Sequence, residues 1–136
     1  MMDYVLDTSA LMTLLKDEEG AEDVEKVLAA SSRGQSRTYL PFMSLMGLEY
    51  MVLRQKGQKI AEGVLRLIQT WPVERVESSP EWGSEAALVK SRASLSVADA
   101  WNAALALRVD AELVHKDPEF DRVPGLKHRR LPYKKP

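Results

Sequence analysis

Apolar positions along this chain come in two patterns. One is the short block with no polar interruption, as in Tyr4-Val5-Leu6, Thr38-Tyr39-Leu40 and Leu113-Val114. The other repeats every three or four residues, as in Val24, Val27 and Leu28, or Ile60, Val64, Leu67 and Ile68, which is the period of an amphipathic helix. The blocks predict strands from Tyr4 to Leu6, Thr38 to Pro41, Trp71 to Val76 and Ala111 to His115. A fifth strand is predicted from His128 to Tyr133, where Pro132 suits only a sheet edge. The periodic runs predict helices from Ala10 to Lys16, Ala21 to Ala30, Ser44 to about Gln55, Lys59 to Thr70, Glu81 to Ala93 and Ser96 to Val109. Polar punctuation separates them: Ser31 to Arg37, Gly57, and the turn at Ser78-Ser79-Pro80.

Strands alternating with helices at these lengths imply an α/β fold, a three-layer α/β/α sandwich around a parallel sheet of four to five strands. In such sheets ligands bind outside the carboxyl ends of the strands. Tyr4 to Leu6 ends in an acid, Asp7, and turns at once into a helix, so Asp7 belongs on that edge. The run Ala103 to Leu107 has no polar face, so the helix carrying it is buried all round. Because that helix feeds directly into the strand at Ala111, its far end lies about 20 Å back, at 1.5 Å per residue, on the same carboxyl edge. Asp99 is carried there. The strand then crosses the sheet and delivers Asp117, just before Pro118.

Each acid also has a local reading. Asp7 fits a helix cap, Ser96 and Asp99 have capping-box spacing, and Asp-Pro favours a turn. Glu49 is different, because its helical neighbours Leu45, Met46, Val52 and Leu53 are apolar and a glutamate buried among them needs a partner. Two carboxylates about 5 Å apart repel by roughly 3 kcal/mol at an effective dielectric of 20, so four sharing one pocket call for protons or a metal ion. All-oxygen ligation points to Mg²⁺ or Mn²⁺, an ion suited to phosphoester hydrolysis.

Composition narrows the setting. The 136 residues suit one domain spanning the chain, and contain no cysteine. No stretch is apolar enough to span a membrane and Met1 to Asp3 opens no signal peptide, so a cytoplasmic location without membrane contact is expected. Nineteen Lys and Arg against 20 Asp and Glu leave a formal charge of −1, so any nucleic-acid site must be local. The segment 122–136 is basic through Arg122, Lys127, Arg129, Arg130, Lys134 and Lys135, and reads equally as a solvated tail or a nucleic-acid contact. Lys90, Arg92 and Lys116 are further candidate phosphate contacts. A phosphatase of the haloacid-dehalogenase or receiver type also has an aspartate after its first strand. The companion acid it needs is absent here, since Ser9 and Leu6 occupy those places.

Val5-Leu6-Asp7-Thr8-Ser9-Ala10-Leu11, Glu49-Tyr50, Ser96-Val97-Ala98-Asp99-Ala100 and Leu113-Val114-His115-Lys116-Asp117-Pro118-Glu119-Phe120 stand in the order and spacing of the PIN-domain proteins, and the chain resembles their VapC-type toxins over nearly its whole length. The resemblance implies a metal-dependent endoribonuclease with Asp7, Glu49, Asp99 and Asp117 as its acidic quartet. It also implies a homodimer and a small antitoxin that blocks the site. Ser9 matches a hydroxyl the family often sets beside the metal. His115 departs from the family, which often has threonine there; it reads as structural or as orienting a water or phosphate, and His128 as structural. Asn102, one turn after Asp99, faces the same way and could hold a metal-bound water or bond the backbone. The rival expectation is a non-catalytic RNA- or protein-binding module of the same fold, with the acids kept as caps. The helix from Ser44 carries more apolar side chains than one face needs, which predicts a second buried side against another subunit or an antitoxin helix.

Overall fold

The computed structural model describes residues 2–132. Its elements are β1 (Tyr4–Leu6), α1 (Thr8–Leu15), α2 (Ala21–Ser32), β2 (Thr38–Pro41), α3 (Phe42–Lys56), α4 (Gln58–Ile68), β3 (Glu74–Val76), α5 (Pro80–Ala93), α6 (Val97–Arg108), β4 (Glu112–His115), a 3-10 turn (Pro118–Arg122) and β5 (Lys127–Arg130). All five strands are parallel, in the order β3-β2-β1-β4-β5. The order reverses direction at β1, so the gap between the carboxyl ends of β1 and β4 is the topological switch point where such sheets bind ligands.

Alternation along the strands builds the two flanking layers. Val5, Tyr39 and Leu113 face α5 and α6, packing with Trp82, Ala103 and Phe120. Leu6, Leu40 and Val114 face the opposite side and pack with Leu11, Val24 and Leu48 from α1, α2 and α3. Leu6 and Val114 are completely buried, as a central parallel strand covered on both faces requires.

Three predicted boundaries shift. The third strand is only Glu74–Val76, because Trp71 to Val73 is a tight turn in which the Val73 amide donates to the Trp71 carbonyl at 2.9 Å. The fifth strand is displaced toward the N-terminus, to Lys127–Arg130, as an edge strand; of its predicted span Tyr133 lies outside the described residues, as do Lys134 and Lys135. Helix α3 starts at Phe42, straight from β2, with Pro41 as its cap residue. Ser44 is therefore no cap: it sits buried in the first turn and its hydroxyl donates to the Leu6 carbonyl at 2.7 Å.

Candidate metal centre

Two of the acids, Asp7 and Asp117, are helix or turn caps, while at Asp99 the cap is Ser96. Asp7 is the N-cap of α1, its Oδ2 accepting from the Ser9 amide at 3.1 Å and from the Ser9 hydroxyl. Ser96 caps α6 by accepting the Asp99 amide at 3.1 Å, and Asp117 caps the 3-10 turn by accepting the Glu119 amide at 2.9 Å. Capping nonetheless leaves lone pairs free on each carboxylate, and the chain folds these caps together. Carboxylate oxygens of Asp99, Asp117 and Glu119 all lie within 4.8 Å of one another. Asp7, only 5 % exposed, stands close enough for its charge to act on Asp99.

The electrostatics follow from this crowding. Burial pushes the Asp7 carboxyl above the usual carboxylate range, the Ser9 and Asn102 hydrogen bonds pull it back, and Asp117 adds to the rise. Asp99 is pushed up to about 7, first by desolvation and then by Asp7, with Asp117 and Glu119 contributing and the Ser96 hydrogen bond opposing. At neutral pH a metal-free pocket of this kind holds a share of its acids protonated.

Glu49 does not join them. The sequence reading placed it on a buried apolar face, but of the four neighbours that define this face only Leu45 and Val52 are buried, while Met46, Leu53 and Glu49 itself are exposed. With α3 starting at Phe42, seven residues and about 10 Å of helix rise separate its first residue from Glu49. Its side chain lines a surface groove of about 450 Å³ with Leu45, Met46, Leu65, Ile68 and Arg75. Glu119 is the acid the sequence reading passed over. Its signal was the Asp-Pro-Glu turn, which folds residues two apart onto the same side.

The remaining candidates have structural tasks. Ser9 bridges two elements, its hydroxyl donating to Asp7 and accepting the Lys116 amide at 3.0 Å. His115 is fully buried; its Nδ1 accepts the Asp117 amide at 3.0 Å and its Nε2 meets Nδ1 of His128 at 2.9 Å. Burial chiefly, with His128 and Arg130, lowers its pKa to about 4, so the ring is neutral and carries its proton on Nε2. Both histidines thus hold the end of β4 that presents Asp117. Asn102 bonds side chains, not backbone: Nδ2 donates to Asp7 Oδ1 at 2.8 Å and to the Ser44 hydroxyl at 3.1 Å.

The candidate phosphate contacts are largely committed elsewhere. The Lys116 ammonium donates to the Glu19 carbonyl at 3.0 Å and lies 3.6 Å from Glu18, and that of Lys90 donates to the Leu95 carbonyl at 2.7 Å. In the described part of the basic segment, Lys127, Arg129 and Arg130 pair with Asp110, Glu112 and Asp121, and Arg122 donates to the Ser94 carbonyl. Of these candidates Arg92 is left exposed, beside the loop that leads to Asp99.

The donor set fits a hard divalent cation. Every charged group in the cluster is a carboxylate, the chain has no cysteine, and both nitrogens of the adjacent His115 are already engaged. Among the described residues one buried side-chain acceptor, Asn102 Oδ1, has no partner. Asp7, Asp99, Asp117 and Glu119 are the residues available to hold such an ion.

A parallel α/β sandwich with an acidic pocket at its switch point defines a class of fold in which strand ends supply the site. Residues 4–126 match the model of the PIN domain, and the chain belongs to that family. Solved structures agree on the fold. VapBC2 from Rickettsia felis bound to a promoter DNA fragment superposes with a TM-score of 0.76 at 18% identity, covering 96% of this chain and 100% of that one. VapBC from Salmonella typhimurium, also DNA-bound, gives 0.76 at 18% identity over 96% and 98%. The sarcin-ricin-loop-cleaving toxin VapC20 of Mycobacterium tuberculosis gives 0.73 at 15% identity over 94% and 99%. No curated protein matches the chain.

Proposed function

We propose that the protein is a Mg²⁺- or Mn²⁺-dependent endoribonuclease, the toxin of a type II toxin-antitoxin pair acting in the cytoplasm. The observation that carries the reading is the meeting of Asp99, Asp117 and Glu119 within 4.8 Å beside the buried Asp7, an arrangement whose repulsion a divalent cation relieves. Asp7, Asp99 and Asp117 hold the ion and Glu119 joins them, while the exposed Glu49 stays outside the set. A bound ion supplies polarisation of the phosphoryl group and a lowered pKa for the attacking water. The chain's own part is placement: Ser9 and Asn102 fix Asp7, Ser96 fixes the start of α6, and His115 fixes the turn at Asp117. The RNA substrate is supported by the likeness to VapC20, a sarcin-ricin-loop-cleaving toxin.

Asp7→Asn is expected to fold and to lose RNA cleavage in the presence of Mn²⁺; cleavage at the wild-type rate by the purified variant would refute this role for Asp7. A second reading, a non-catalytic binding module, is favoured by the fact that Asp7 and Asp117 each already work as caps. Mn²⁺ separates the two: at one hundred times its dissociation constant, bound ion raises stability by about 2.7 kcal/mol, and no rise in melting temperature would favour the module. A partner protein is supported by the neighbours solved as toxin-antitoxin complexes, and a homodimer by the apolar side chains exposed on α3.

A further inference from the structure

Asn102 is 1 % exposed, sits on α6 one turn after Asp99, and joins two other elements through one amide nitrogen. Its Nδ2 donates to Asp7 Oδ1 at the end of β1 and to the Ser44 hydroxyl on α3, and that hydroxyl donates onward to the Leu6 carbonyl. Asp7 Oδ2 is meanwhile taken by Ser9, so Asn102 is the donor to the other oxygen. The opposite end of the amide, Oδ1, is buried with no hydrogen-bond partner among the described residues. Turning the amide over would not cure this, because it would set Oδ1 against the carboxylate oxygen of Asp7. An orphaned buried acceptor is costly, and a leucine of similar size at this place would only trade it for another, because Asp7 Oδ1 would lose its donor. The amide is kept where a hydrophobe would pack, and the group it serves is Asp7.

We propose that Asn102 is a positioning residue of the metal site: Nδ2 clamps Asp7 in the orientation that receives the ion, and the free Oδ1 accepts a donor from the hydrated, ion-loaded pocket. This rests on the metal-dependent reading of the site. It predicts that metal affinity falls further than the change in metal-free stability accounts for, which a merely structural asparagine does not require. The test is Mn²⁺ titration followed by electron paramagnetic resonance, with thermal unfolding in EDTA, on wild type, Asn102→Leu and Ser44→Ala. Asn102→Leu, which leaves Asp7 Oδ1 without its donor, is expected to bind Mn²⁺ at least tenfold more weakly while still unfolding cooperatively in EDTA, at a melting temperature below that of wild type. Ser44→Ala, which removes the support behind the amide together with the bond to the Leu6 carbonyl, is expected to weaken Mn²⁺ about two- to threefold, and decides the matter if Asn102→Leu does not fold. Unchanged Mn²⁺ affinity in the variants, or a loss of metal-free stability without a loss of affinity, would overturn the assignment of Asn102. Absence of Mn²⁺ binding by the wild type would overturn the metal reading itself.

Discussion

Asp99 shows at the scale of one residue how the pocket and its pH dependence are linked. Its pKa rises from 3.8 to about 7 on folding, chiefly through burial, so the folded protein holds its proton more tightly than the unfolded chain. The stability this confers is complete below pH 3.8 and is lost as pH rises through about 7. His115 works the other way, since its pKa falls to about 4 and its contribution is lost as pH drops below 6.5. The two windows overlap, so Asp99 is isolated by difference. In EDTA, Asp99→Asn should gain melting temperature over wild type, and the gain should be larger at pH 8 than at pH 5; equal gains at both would contradict the shift. Asp7, Asp99 and Asp117 were legible in the sequence because each stands at a strand end or a buried helix start. Glu49 was misread because apolar neighbours were taken for burial. Met46 and Tyr50, one on either side of it, are 58% and 54% exposed, and their apolarity belongs to the surface.

Helix α3 carries a second consequence at the scale of the element. Gly47 lies where α3 crosses α1, and a Cβ there would come within 2.6 Å of Thr8 Oγ1. Thr8 cannot swing away freely, because that hydroxyl donates to the Ser44 carbonyl at 3.1 Å and the residue directly follows Asp7. On helix propensity alone, Gly47→Ala would stabilise by about 1 kcal/mol. Overpacking of this kind costs about 1–3 kcal/mol, so the expected result is a net fall of a few degrees in melting temperature together with weaker Mn²⁺ binding. A rise would show that the two helices have room to part. The helices themselves were readable from their period, and α6 most clearly, since its apolar run admits no solvent face. The start of α3 was not readable: Pro41 ends the strand and caps the helix at once, leaving Ser44 to look like the cap while it is tied to β1 instead.

The sheet order and the outer surface belong to the whole molecule. Alternating strands and helices announced a parallel sheet, but the order β3-β2-β1-β4-β5 depends on which side of β1 the crossover through α5 and α6 returns, and nothing local to those helices encodes that choice. The consequence is large, because it sets β1 beside β4 and so brings Asp7 to Asp117. The side chains of Met46, Tyr50 and Leu53 stand exposed together on α3, an apolar patch of the kind that protein contacts cover. Light scattering at micromolar concentration should give a dimer for the wild type and a monomer for Met46→Glu with an unchanged circular dichroism spectrum; a monomeric wild type would remove the dimer. The proposed function depends on one divalent ion uniting acids from the end of β1, the start of α6 and the turn after β4. Anomalous diffraction from a crystal soaked in Mn²⁺ locates that ion. The predicted result is a single peak bonded to carboxylates of Asp7, Asp99, Asp117 and Glu119. A peak seated elsewhere, or an empty pocket in a protein that still cleaves RNA in EDTA, would contradict it.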